Sequence, residues 1–231
     1  MLWLVRAIGI AAALVLAVAL YMEYGRPHFT WVGGAKVKLP GGFGGHVLAM
    51  EFVRTGGDME VIVGPQGHAN RATMQRKIEI DFLWIGCYTL LFVLVAVLLG
   101  TRPFPSSIYL AFLAAACGLL AAGFDVVENR GLLHALELTK DEATAETLRG
   151  IREAAILKWT LSYVAMGLLA VTFLGKDLGV SLVGYCFAAT AIIGFIGLWH
   201  YPLIGMSIPP LALGLLLLAG QALGRADVFL R

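Results

Sequence analysis

Charged side chains are scarce in this sequence. They make up 14% of its 231 residues, whereas 59% are hydrophobic. A soluble domain carries roughly 25% charged residues, so the deficit argues against an ordinary soluble fold. The formal net charge of +2 is also too small for a basic nucleic-acid surface. We therefore expect no nucleic-acid partner.

Motifs that would hold a cofactor or a metal ion are also missing. The three cysteines, Cys87, Cys117 and Cys186, lie far apart in apolar runs, which favours packing over a redox or zinc pair. No histidine falls in the middle of an apolar run, which argues against paired axial haem ligands. P-loop, dinucleotide, nucleophile-elbow and metalloprotease motifs are absent. The sequence thus predicts no cofactor and no metal.

Long apolar runs dominate the sequence instead. Each is about as long as the 20 residues that cross a hydrocarbon core as a helix. They consist of Leu, Ala, Val and Gly without alternation, which disfavours a β-barrel. The pattern predicts an all-α polytopic membrane protein, a single membrane domain over residues 1–231 with about six transmembrane helices. The predicted spans are 3–22, 80–100, 107–124, 156–175, 179–199 and 207–223.

The first apolar run has two interpretations. Arg6 is the only charge before its apolar core, and Ala17-Val18-Ala19 resembles a signal-peptidase site. The run is therefore either a cleaved signal peptide or an uncleaved anchor helix.

Two longer segments, 23–69 and 125–155, are predicted to lie outside the membrane. The first begins with a Gly-rich loop around residues 33–45. Its residues 46–63 favour two short amphipathic helices at the interface, broken at Gly56-Gly57, with a β-hairpin as the alternative. Asn70 is the predicted cap of the next helix. In the second segment Thr139 and Glu142 fit a capping box, which predicts one long helix from about 140 to 174.

Part of the chain resembles another part. Residues 82–125 align without gaps with residues 157–200, so that Trp84 meets Trp159 and Tyr88 meets Tyr163. A real repeat would give a four-helix core of two parallel hairpins, flanked by the first and sixth spans. Chance similarity between apolar segments is the alternative.

The distribution of basic residues bears on orientation. Most of the 17 Lys and Arg residues lie in the two long segments, which the positive-inside rule places in the cytoplasm. The signal-like first run argues for the opposite orientation. Basic residues close to the spans, such as Arg71 and Arg152, favour cytoplasmic long segments. We expect a bacterial-type inner membrane.

The ionisable residues near span ends should meet at one membrane surface, because successive helices alternate in direction. Asp125, Glu128 and Asn129 share one helix face. Carboxylates beside lipid are costly unless they are paired. We therefore predict an ion pair or hydrogen-bond network among Asp81, Asp125 or Glu128, and Lys158. The whole predicted network comprises Asp81, Tyr88, Asp125, Glu128, Asn129, Lys158, Tyr163 and His200.

Several functions are compatible with such a network. The network could have a purely structural role, in which its charged side chains hold the helix ends together at the level of the lipid headgroups. The leading hypothesis is a membrane protein that binds a membrane lipid, or a protein partner subunit, through residues 43–64 and the polar face. The second is an enzyme acting on an apolar substrate, with Asp81, Asp125 and Glu128 as acid and base and His200 assisting. The third, an ion- or proton-coupled transporter, requires polar groups halfway across the membrane.

Overall fold

A computed structural model describes residues 1–32, 38–101, 105–175 and 177–226, without the side chains of residues 105–107. In these ranges the chain forms eight α-helices and three short 3₁₀ turns, and no strand. Residues 33–37 of the predicted Gly-rich loop lie outside the described part. The helices are α1 (Leu2–Tyr24), α2 (His46–Glu51), α3 (Gly56–Val63), α4 (Ala69–Gly100), α5 (Pro105–Glu137), α6 (Ala145–Phe173), α7 (Leu178–Trp199) and α8 (Ile208–Gly224).

Six helical stretches are long and apolar enough to cross a membrane. They are Leu2–Tyr24, Ala69–Gly100, Ile108–Glu137, Ala145–Phe173, Leu178–Trp199 and Tyr201–Gly224. Their length and composition indicate membrane insertion. The predictions of an all-helical chain, for the described residues, and of six helices long and apolar enough to span a membrane are confirmed.

The six long helices form a closed ring. Each packs against the next along the chain, and α1 also packs against α8. At one end Thr101 contacts Met1, with 3.5 Å from Oγ1 to Sδ, and Arg225 lies 3.7 Å from Asp177. At the other end the Lys77 ammonium donates to the backbone oxygen of Met22. Neighbouring helices are thus antiparallel, as in an up-and-down bundle.

Two separate hydrophobic cores occupy the length of the ring. One lies between the spanning parts of α1 and α4 to α8, and includes Val15, Phe92 and Phe187. The other unites α2 and α3 with the first turns of α4 and α6 and the last turns of α5, and includes Met50 and Leu132. The buried charged residues of α5 and α6 lie between these two cores.

The short helices α2 and α3 confirm the prediction of two helices over residues 46–63, and the β-hairpin alternative is wrong. The break lies at residues 52–55, so the predicted break at Gly56-Gly57 is also wrong. Thr55 and Asp58 form a capping box at the start of α3. Glycine is required at position 56, because a Cβ there would overlap the backbone oxygen of Lys140.

Two predicted helix starts need correction. Asn70 does not cap α4, because its side chain exchanges hydrogen bonds with the backbone of Thr30, and His68 is the cap instead. The Thr139 backbone N–H and hydroxyl do donate to Glu142, at 2.9 and 2.8 Å, but they close a turn. The following helix begins at Ala145 with Thr144 as its cap.

A buried arginine joins the short helices to the bundle. Arg71 donates to the backbone oxygens of Gly64, Leu136 and Leu138, at 3.0, 2.7 and 2.9 Å. It thereby satisfies the carbonyl groups that end α3 and α5. We expect Arg71→Ala to lower the free energy of unfolding by about 2 kcal/mol, since buried carbonyls lose their donors.

Thermal unfolding in detergent measures this effect, and Arg76→Ala is the control. Arg76 lies on the same helix but is exposed, so its loss should cost less than about 0.5 kcal/mol. Equal melting temperatures for the two variants would contradict the role assigned to Arg71.

Candidate functional site

One lysine lies among three carboxylates from two other helices. The Nζ atom of Lys158 on α6 is 2.8 Å from Glu128 Oε2 and 3.0 Å from Glu128 Oε1. It is 3.3 Å from both Asp125 Oδ1 and Glu51 Oε1. The predicted ion pair of Lys158 therefore includes both carboxylates of α5, together with Glu51 from α2.

Neutral donors surround this ionic group. The Tyr88 hydroxyl donates to Asp125 Oδ2 at 3.0 Å, and the Trp159 indole donates to Glu51 Oε2 at 2.8 Å. Asn129 Nδ2 donates to Asp81 Oδ2 at 2.7 Å. We define the polar layer as the set Glu51, Asp81, Asp125, Glu128, Asn129 and Lys158.

Five of the six members of the polar layer are buried, and Asp81 is partly exposed. Asp125 and Glu128 are each 1% exposed, and Lys158 is 6% exposed. From Asp81 to Gly100, α4 rises about 28 Å. Because a hydrocarbon core is about 30 Å thick, a membrane crossed by this part of α4 would have the polar layer near one of its edges. Burial at this depth makes each ion dependent on its partners.

Glu51 is the member of the layer that lies outside the spanning helices. Burial raises the pKa of its carboxyl, while Lys158 and the Trp159 hydrogen bond act in the opposite direction. A raised pKa is the expected response of a carboxylic acid to a site with little water, and the Lys158 ammonium opposes it by stabilising the carboxylate.

A cavity of about 70 Å³ begins at the polar layer and follows the inside of the ring. Asp125 and Lys158 form its polar end, and most of the other walls are apolar. Along α4 the wall extends from Trp84 to Val95, about 16 Å of helix. All six spanning helices contribute, as shown by Val15 and Trp84 on α1 and α4, Asp125 and Lys158 on α5 and α6, and Phe187 and Leu215 on α7 and α8.

Two of the residues that line the cavity each have a buried polar atom with no hydrogen-bond partner among the described residues. One is Nε1 of Trp84, a donor, and the other is Oδ1 of Asp125, an acceptor. Oδ1 has only its 3.3 Å ionic contact with Lys158. Buried polar groups are normally satisfied, so these two atoms mark a place where a bound molecule could supply partners.

The remaining predicted site residues divide into two groups. Tyr163 lines the cavity, and its hydroxyl lies 3.2 Å from that of Ser207. Asp81 contacts Asn129 and has no ion pair with Lys158 within the described part. His200 is exposed beyond the end of α7 and does not line the cavity, because the chain leaves the helix there and turns through Tyr201–Leu203.

Sequence reasoning missed Glu51 as a member of the network. A carboxylate inside the apolar stretch from Met50 to Val53 was an available signal, since such a group must find a partner when the helix packs. The identity of that partner depends on how α2 folds back over α6, and no local pattern encodes this.

In the part of the chain that the structure describes, no group of three His, Cys, Asp or Glu side chains is placed to hold a metal ion. Comparisons of the chain with protein-family models, curated proteins and solved structures give no match in any of the three. Function is therefore inferred from the geometry of the polar layer and the cavity.

Proposed function

We propose that this protein binds an amphiphilic, lipid-like molecule inside its helix ring. The apolar part of the ligand would occupy the cavity, and its polar head would contact Asp125 and Lys158. The observation that carries this proposal is a cavity lined by all six spanning helices, apolar along its length and polar at one end. Ligand sites commonly combine apolar walls with a few convergent polar groups.

The two unsatisfied atoms support the same assignment. A head group with an oxygen acceptor would satisfy Trp84 Nε1, and a head group with a donor would satisfy Asp125 Oδ1. The segment 43–64 would then cover the site, because Glu51 at the end of α2 contacts Lys158.

The enzyme alternative has less support from the geometry. It requires at least three of Asp81, Asp125, Glu128 and His200 in the wall of one pocket, and only Asp125 lines the cavity. The transporter alternative requires polar groups halfway across the membrane, whereas the polar layer lies near one edge. A stably bound protein subunit is an outcome that the experiment below detects.

The test is purification of the protein in a mild detergent followed by native mass spectrometry and identification of extracted lipids. We expect a bound lipid-like molecule in a defined ratio. Leu215→Trp should remove it, because Leu215 lines the cavity and an indole would fill that space.

The matched control is Leu216→Trp, one residue further along α8. Leu216 is 57% exposed on the outside of the ring, so this variant should keep the ligand. Co-purification of a protein subunit without lipid would replace our proposal with the partner hypothesis. A monomer that carries neither would contradict both.

We also infer that α4–α5 and α6–α7 are two copies of one hairpin, which together with α1 and α8 make the ring. Two aromatic pairs support this inference. Trp84 packs against Tyr88 with 4.8 Å between ring centroids, and Trp159 packs against Tyr163 with 5.6 Å. The two pairs occupy equivalent positions in the alignment, and all four rings line the cavity.

The orientation is a proposal as well. We place α2, α3 and the α5–α6 connection on the cytoplasmic side of a bacterial-type inner membrane. Basic residues at that end of the ring, including Arg71, Arg76, Arg149 and Arg152, support this orientation by the positive-inside rule.

A further inference from the structure

The polar layer has more acceptors than donors. Glu51, Asp81, Asp125 and Glu128 together offer eight carboxylate oxygens when ionised. The hydrogen bonds made to them within the described residues come from Lys158, Trp159, Tyr88 and Asn129. Asp125 Oδ1 is buried without a hydrogen-bond donor among the described residues, and its nearest charged group is the Lys158 ammonium at 3.3 Å. Glu128 Oε2, also buried, has the Lys158 ammonium at 2.8 Å. The site therefore has room for further N–H or O–H donors.

The layer is also short of positive charge. Four carboxylates lie around one ammonium group, and Lys158 contacts three of them within 3.3 Å. A buried excess of negative charge is expensive. Proton uptake by the carboxylates can relieve part of it, and so can a ligand that brings a cation.

The walls next to Asp125 suit a cation as well. Trp84 and Tyr88 lie one turn apart on α4 and line the cavity. Trp159 and Tyr163 occupy the equivalent positions on α6. The Lys158 ammonium already lies 5.1 Å from the centre of the Trp159 ring. Aromatic faces of this kind attract ammonium groups, so a second cation would meet favourable surroundings beside the carboxylates.

We propose that the ligand is an amphiphile with a protonated amine in its head group, held by Asp125 beside Lys158 with its chain in the cavity. This inference rests on the proposed function and specifies the chemistry of the head. The amine would donate to Asp125 Oδ1 and add the positive charge that the layer lacks. An oxygen near the amine would accept from Trp84 Nε1.

The test compares three probes with the same chain and different heads: octylamine, octanol and octanoate. Radiolabelled probe is equilibrated with the protein in nanodiscs of zwitterionic lipid near neutral pH, and binding to empty nanodiscs is subtracted. We expect octylamine to bind about tenfold more tightly than octanol, which corresponds to about 1.4 kcal/mol. Octanoate should bind more weakly than both.

Two variants locate the binding. Leu215→Trp should abolish binding of octylamine and octanol alike, because it fills the cavity. Asp125→Asn should weaken octylamine about tenfold and octanol distinctly less, because only the amine loses an attraction between opposite charges. The three-probe comparison on the unaltered protein needs no variant, so it decides the matter even if Asp125→Asn fails to fold.

The possible failures are distinguishable. If octanol or octanoate binds as tightly as octylamine, the cavity accepts amphiphiles but the amine assignment is wrong. If none of the three binds above empty nanodiscs, the proposed function itself is contradicted. If octylamine binds equally well to Leu215→Trp, the cation site lies elsewhere on the protein.

Discussion

Replacing Lys158 with methionine should lower the free energy of unfolding by about 3–5 kcal/mol. The variant removes the ammonium group on which Glu51, Asp125 and Glu128 converge. It leaves three buried carboxyl groups without a cation, and each must then take up a proton or draw in water. Methionine keeps most of the chain volume, so the expected loss reflects charge more than packing.

The loss of stability in Lys158→Met is measured by unfolding the protein in nanodiscs or detergent, with tryptophan fluorescence as the signal. Lys140→Met is the matched control, because Lys140 is exposed on the turn before α6 and should change stability by less than about 0.5 kcal/mol.

A compensating variant separates charge from packing. Adding Asp125→Asn and Glu128→Gln to Lys158→Met removes two of the charges left unpaired, so part of the stability should return. If the compensated variant is no more stable than Lys158→Met, the loss of stability does not come from unpaired carboxylates, and the role assigned to Lys158 is wrong.

The sequence could predict the spanning helices because lipid imposes a simple rule on each of them. A run of about 20 apolar residues is recognised from its own composition. The predicted span 179–199, which corresponds to α7 (Leu178–Trp199), is an example that needs no tertiary information. Helix direction then follows from counting spans. Counting alone is enough to place Asp81, Asp125 and Lys158 at one end of the bundle.

The composition of the site was less predictable, because it depends on contacts between distant segments. Glu51 reaches Lys158 only because α2 folds back over the end of the ring. His200 is equivalent to Asp125 in the repeat alignment, but α7 ends at Trp199 and the His200 side chain is exposed. The cavity is a property of six helices together, and no single helix pattern encodes an unfilled space.

A different kind of position, a glycine inside the ring, should be almost as sensitive as Lys158. A Cβ at Gly194 on α7 would overlap the ring of Tyr163 on α6. Tyr163 is 1% exposed, and its hydroxyl forms a hydrogen bond with the hydroxyl of Ser207. We expect Gly194→Leu to lower the free energy of unfolding by about 3 kcal/mol, because overpacking forces the ring and the two helices apart.

Gly123→Leu is the control, since a Cβ at Gly123 meets no atom within 4 Å and the residue is exposed on α5. This variant should be neutral or more stable by up to about 1 kcal/mol, as leucine favours helix over glycine. Adding Tyr163→Ala to Gly194→Leu should recover stability relative to the sum of the single changes, because the two side chains compete for one space.

The Gly194→Leu variant also tests the connection between packing and ligand binding. Tyr163 lines the cavity, so a ring displaced by the Gly194→Leu side chain would move into the space that we assign to the ligand chain. We therefore expect Gly194→Leu to lose bound lipid as well as stability, whereas Gly123→Leu keeps both. If Gly194→Leu lost stability but kept its ligand in full, the chain of the ligand would have to lie away from Tyr163. The cavity between the aromatic pairs would then not be the binding site of the ligand chain.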